Sequence, residues 1–287
     1  MKKSPVLLRR LAFTVPLCFG LLAGCASGGG FNPRPISLHH GADGTNDERL
    51  AQNMLQAGDA GLAAALFEKS LKANPNSLDA QLGLADSMYE TGDLERARAL
   101  YQQVALQPSA RSAAQLGLAR VALRQRRLDD AATLYRGLLA AQPDNTVLSE
   151  GLGTVLDLQG HHAEAQDIYR KALGAHPEVQ GLRVNLGLSL ILQGKTREGA
   201  NVLLDVAGLG DAPPQARQNL ALAYGLLGNT EAAKRILMVD LPPSSVEDNL
   251  RFYQSLRVRL GEHRPAAGHE DGNASTVSSA GAREYRQ

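Results

Sequence analysis

The chain has 287 residues, with 30 Lys and Arg against 29 Asp and Glu and a formal net charge of +1. Four bases (Lys2, Lys3, Arg9 and Arg10) and no acid fall in the first ten residues, so beyond residue 10 the balance is 26 basic to 29 acidic, about −3. That is no footprint for nucleic acid, which rewards clustered positive charge, and with only Cys18 and Cys25 there is little room for disulfide, metal or thiol chemistry.

Residues 1–24 read as a lipoprotein signal peptide. After the basic start comes an apolar run, Leu11 to Leu22, the length of a signal core and too short to span a bilayer as a stable helix. Leu22-Ala23-Gly24-Cys25 then resembles the bacterial lipobox. The resemblance implies cleavage before Cys25 and acylation of its thiol, a palmitate-type anchor that more than one acyl chain makes stable. Cys18 would leave with the signal, so no free thiol would remain. Ala26 and Ser27 follow, with no Asp, and by the sorting preference that the same resemblance implies the destination is the periplasmic face of a Gram-negative outer membrane. Residues 25–43, holding Gly28-Gly29-Gly30 and Pro33-Arg34-Pro35, are expected to be a flexible tether.

Residues 44–247 carry a period of 34. Leucine recurs at Leu50, Leu84, Leu118, Leu152, Leu186 and Leu220. A small residue follows in each unit (Ala63, Ala97, Ala131, Ala165, Gly199, Ala233), then a large one (Phe67, Tyr101, Tyr135, Tyr169, Leu203, Leu237). Between them five units place Gly58, Gly92, Gly160, Gly194 and Gly228, and the third places Arg126. Each unit reads as two helices around a turn: an apolar face at helical spacing, a residue suited to ending the first helix, and a small residue that lets the second approach. Tyr169 is expected to fill the gap toward the next unit, and Pro75, Pro108, Pro143 and Pro177 close their units. Unit five departs most, with Gly199 for Ala and two extra glycines in Val206–Asp211, so its second helix should end early.

A stack of such units needs a cap. After Pro242-Pro243 a helix starting near Ser244 or Ser245 would place Val246, Leu250, Tyr253 and Leu260 on one side, and residues 248–260 are assigned as the capping helix. Residues 261–287, rich in Pro, Ala, Gly, Ser and charge without periodicity, are expected to be disordered.

The repeat positions resemble the tetratricopeptide (TPR) signature, which implies an all-α solenoid of six helix-turn-helix repeats. It also implies that the first helix of each repeat lines a concave groove. The groove residues are then Leu82, Asp86, Tyr89 and Glu90 in repeat two, and Leu116, Arg120, Leu123 and Arg124 in repeat three. Repeat four gives Val147, Glu150, Thr154 and Asp157; repeat five gives Val184, Leu188, Ile191 and Leu192; repeat six gives Leu222 and Leu226. The C-terminal half is short of charge, as a site for an amphipathic partner helix would be. Arg120 and Arg124 would favour an acidic partner segment. Some relatives clamp a terminal carboxylate with Lys and Asn, but the corresponding positions here are Glu48, Gln52 and Gly83, so no such clamp is expected.

No phosphate loop, HExxH or Gly-x-Ser-x-Gly pattern is present, and neither enzyme activity nor a cofactor is expected. His161-His162 with Glu164 lies in a turn, where solvated side chains are the plainer reading than a metal site. Repeat six (Gln215 to Gly228, then Ala232-Ala233-Lys234) with Asp240-Leu241-Pro242-Pro243 and a last helix resembles the TadD-type TPR lipoproteins of tight-adherence (Flp) pilus assembly. That resemblance implies a scaffold for protein partners, the pilus secretin among them, with the pilotin of that secretin as one such role; the alternative is an adaptor for another envelope complex, such as a different secretin or peptidoglycan enzymes.

Overall fold

The computed structural model describes residues 45–262, and the signal, Cys25, the tether before residue 45 and the tail after residue 262 lie outside them. Among the described residues there are thirteen helices and no strand. Six hairpins come first: α1 (Thr45–Gln56) with α2 (Ala60–Ala73), α3 (Leu78–Thr91) with α4 (Leu94–Val104), and α5 (Arg111–Arg124) with α6 (Leu128–Ala141). Then come α7 (Thr146–Leu158) with α8 (His162–Ala175), α9 (Gln180–Leu192) with α10 (Thr196–Ala207), and α11 (Pro214–Leu226) with α12 (Thr230–Leu237). A single long helix, α13 (Pro243–Glu262), ends the stack.

The turns inside the hairpins explain the glycine period. Gly58, Gly92, Gly160, Gly194 and Gly228 all have φ between 82° and 89°, a left-handed conformation that costs glycine little. Arg126 takes the same conformation at φ 61° without that freedom. The backbone closes these turns by reaching back over the helix end: Arg127 N donates to Ala122 O at 2.9 Å, His161 N to Leu156 O at 2.8 Å and Lys195 N to Leu190 O at 2.9 Å. Side chains cap several helix starts in turn. Asp59 accepts from Leu62 N, Ser77 from Ala80 N, Asp93 from Arg96 N, Asn145 from Leu148 N and Asn229 from Ala232 N.

The period also builds the core. The small residues Ala63, Ala97, Ala131, Ala165 and Ala233 are fully buried, as are the large ones from Phe67 to Leu237. The rings of Phe67, Tyr101 and Tyr135 lie on Gly83, Gly117 and Gly151 of the following repeat, where a Cβ would come within 2.2 to 2.3 Å. Each ring thus locks one repeat to the next. The Tyr169 ring rests on Gly153 of its own repeat's first helix and shares a buried cluster with Leu182 and Leu186 of the next repeat, as expected. Leu50 departs: it is exposed, since among the described residues no earlier repeat covers α1.

Repeat five ends early as its glycines suggest, with α10 at 12 residues against 14 for α8. Its Gly199 has a local cause. α9 and α10 approach so closely that a Cβ there would meet the Gly187 carbonyl oxygen at 2.6 Å. The capping helix begins at Pro243, five residues before the assigned start, because proline at a first helical position forfeits no hydrogen bond. Val246 and Tyr253 bury against Ala233 and Leu237, with Leu250 beside them. Leu260, expected on that packed side, is exposed instead.

Candidate protein-binding groove

First helices pack directly on one another, α1 on α3, α3 on α5, α7 on α9, α9 on α11 and α11 on α13. The layer that packs more closely is the inner wall of a curved stack, so these helices form the groove.

In repeats two and three the groove's charges are satisfied by one another. Arg120 lies 3.1 Å from Glu90 and 3.8 Å from Asp86, and its guanidinium sits 4.3 Å from the centre of the Tyr89 ring. The Arg124 guanidinium lies 4.8 Å from the centre of the same ring and donates to the Tyr89 carbonyl. Asp86 also accepts a hydrogen bond from the Tyr101 hydroxyl. Burial raises the Asp86 pKa despite help from Tyr101 and Arg120, and burial next to Asp86 pushes the Tyr101 hydroxyl far up. The two arginines read as free cations for an acidic partner are therefore committed within the protein. Leu82, Leu116 and Leu123 are half-buried and pack on the core beneath.

A second polar knot joins repeats four and five. Asp157 accepts from the Ser189 hydroxyl at 2.6 Å and from the Tyr169 hydroxyl at 3.1 Å, and its other contact is His162 Nδ1 at 2.8 Å. Gln166, itself buried, reaches Gln193 at 3.2 Å. Burial and the Asp157 carboxylate push the Tyr169 hydroxyl far up. His162 is thus a largely buried partner of Asp157, which corrects its reading as a solvated turn residue, whereas His161 is exposed. Among the described residues no group of three or more His, Cys, Asp or Glu is placed to hold a metal ion.

The apolar half of the groove divides. Val184 packs with Val206 and Ala216, and Ile191 with Ala200, Leu203, Leu220 and Ala223, so both are core residues and are corrected as groove anchors. The close approach of α9 and α10 at Gly199 draws them in. Leu222 and Leu226 are half-buried and lean on the same core. Leu188 is half-buried and joins none of the buried clusters, and Leu192 is 52% exposed. Leu158, which the sequence reading passed over, is 42% exposed at the position 34 residues before Leu192 and 34 after Arg124. The same register that gave the others would have found it. Val147, at the start of α7, is also exposed. The open apolar surface is therefore Val147, Leu158, Leu188 and Leu192, on the neighbouring helices α7 and α9.

The elements define a helical-hairpin solenoid with an open inner wall. The chain belongs to the tetratricopeptide-repeat family: models of that repeat match residues 54–110, 104–146, 116–180 and 214–238, together more than half of its length. Such repeats are protein-interaction scaffolds. A tetratricopeptide repeat protein from Parabacteroides merdae is similar in structure at a TM-score of 0.62 and 11% identity, over 75% of this chain and 86% of that one. A chain of the APC/C hetero-tetramer Cut9-Hcn1 is similar at 0.64 and 17%, over 75% and 43%. Pseudomonas aeruginosa pilF is similar at 0.59 and 17%, over 76% and 97%. At these identities the likeness is one of fold. No curated protein sequence matches.

Proposed function

We propose that this protein is a lipid-anchored scaffold of tight-adherence pilus assembly at the periplasmic face of the outer membrane, binding an assembly component such as the secretin. The observation that carries the binding is the open leucine surface of α7 and α9. Leu158, Leu188 and Leu192 expose apolar area that no described segment covers, and an amphipathic helix laid along the groove would remove it from water. The lipobox at Cys25 supports the anchor, and no described helix is long and apolar enough to cross a membrane on its own. The TadD-like residues of repeat six support the pilus.

The test uses the parent bacterium. Cys25→Ser should abolish palmitate labelling and pili. Leu188→Asp with Leu192→Asp should keep the label and the folded protein but still lose pili, because each carboxylate would be buried unpaired in the complex. Pili unchanged in both variants would refute the assignment. Intact pili with a defect in another envelope complex would favour the adaptor reading.

A further inference from the structure

The groove holds one charge that the fold leaves unanswered. Leu82, Leu116, Glu150 and Val184 stand 34 residues apart, so a carboxylate occupies a register slot that the neighbouring repeats fill with apolar side chains. Leu82 and Leu116 pack on the core from that slot and Val184 is buried in it. Glu150 is partly buried, yet it makes no hydrogen bond and no ion pair among the described residues. One of its oxygens rests against Gly181 in the first turn of α9, where a Cβ would sit 2.4 Å away.

The other carboxylates predicted in the groove are spoken for. Asp157 is held by Ser189, Tyr169 and His162, and two repeats earlier Asp86 and Glu90 face Arg120. The first turn of α9 does not satisfy Glu150 either. None of its backbone N–H groups donates to the Glu150 carboxylate, and burial raises the pKa of that group. A half-buried charge without a partner is costly to keep, so its place in the centre of an open groove calls for a ligand. Val147 stands one turn before it on α7, and Leu188, Leu158 and Leu192 follow two to three turns further along the groove, where they can take only apolar groups.

We infer that Glu150 is the specificity residue of the groove, receiving one lysine or arginine side chain from a partner helix whose flanking residues are apolar. The inference rests on the groove reading above and sharpens it: the partner's face reads apolar, cation, apolar, not acidic. Its cation would pair with the Glu150 carboxylate, while apolar residues of the same partner helix would meet Val147 before it and the leucines beyond it.

The test is selection of helix-forming peptides from a displayed random library on the full-length protein in detergent. Wild type should enrich peptides with one Lys or Arg between apolar residues. Replacing that Lys by norleucine in the best peptide should weaken binding to wild type about tenfold or more, as for a charge-assisted hydrogen bond. In Glu150→Gln, which keeps the side chain's shape, the two peptides should bind alike. Enriched peptides without a cation, or the same Lys-to-norleucine ratio in Glu150→Gln as in wild type, would overturn the inference. The arms separate the two readings. Peptides that need Leu192 (lost in Leu192→Asp) but ignore Glu150 leave the groove standing and remove the cation. Peptides indifferent to Leu192→Asp, or none enriched at all, remove both.

Discussion

Replacing Arg126 by glycine should stabilise the protein, which is an uncommon direction for removing a long side chain. Arg126 holds φ 61°, where the Cβ of an L-residue crowds the backbone at a cost of about 1–2 kcal/mol. The side chain is exposed, and no hydrogen bond or ion pair ties it down among the described residues, so little is lost with it. Two backbone hydrogen bonds of the turn, Arg126 N to Leu123 O at 3.0 Å and Arg127 N to Ala122 O at 2.9 Å, do not involve it and remain. Against the relief stands the greater freedom of glycine in the unfolded chain, about 0.4–1 kcal/mol. The difference leaves a net gain of about 0.5–1 kcal/mol, or roughly 1–4 °C in melting temperature for a domain of this size. Thermal and urea unfolding followed by circular dichroism would measure it. The mirror variant Gly160→Ala should lose about 1 kcal/mol for the same reason. An Arg126→Gly protein less stable than wild type, beside a tolerant Gly160→Ala, would refute the argument that these turns select for left-handed backbone.

Gly199→Ala gains about 1 kcal/mol in helix propensity but drives a Cβ to 2.6 Å from the Gly187 carbonyl, so a net loss of about 1–3 kcal/mol is expected in urea titration. Asp157→Ala should cost about 2–4 kcal/mol, because it strands the buried Tyr169 hydroxyl and Ser189 together, and Asp157→Asn should recover part of that. Burial raises the Glu150 pKa, so the folded state binds its proton more tightly than the unfolded chain and this residue's contribution grows as pH falls. Glu150→Gln should therefore melt above wild type at pH 7, with the gap closing as pH drops through the glutamate range; a gap that widens in acid would reverse the sign.

The repeat made the fold readable. A period of 34 fixes which residues meet, and the buried alanines and aromatic residues fall where that period puts them because each repeat solves the same packing problem. Local departures were harder to read. Val184 and Ile191 occupy groove positions of the period but are buried, since the extra closeness that Gly199 permits draws α9 onto α10 and α11. Arg120 and Arg124 looked like free cations because their partners, Asp86, Tyr89 and Glu90, belong to the preceding repeat. His162 looked solvated because Asp157 and Ser189 reach it only through the turn and the next repeat. Periodicity tells which face a residue occupies; whether its charge is answered depends on contacts about thirty residues away.

That the partner lies on the open half of the groove, between α7 and α9, can be tested in place. Site-specific photo-crosslinking in the parent bacterium tests it most directly, with a photoreactive amino acid at Leu192 and, as a control, at the exposed Met238 after α12. A dominant crosslink is expected from Leu192 to one pilus-assembly component of the outer membrane, lost when Leu188→Asp is added, with none of comparable yield from Met238. A partner captured from Met238 and not from Leu192 would contradict it.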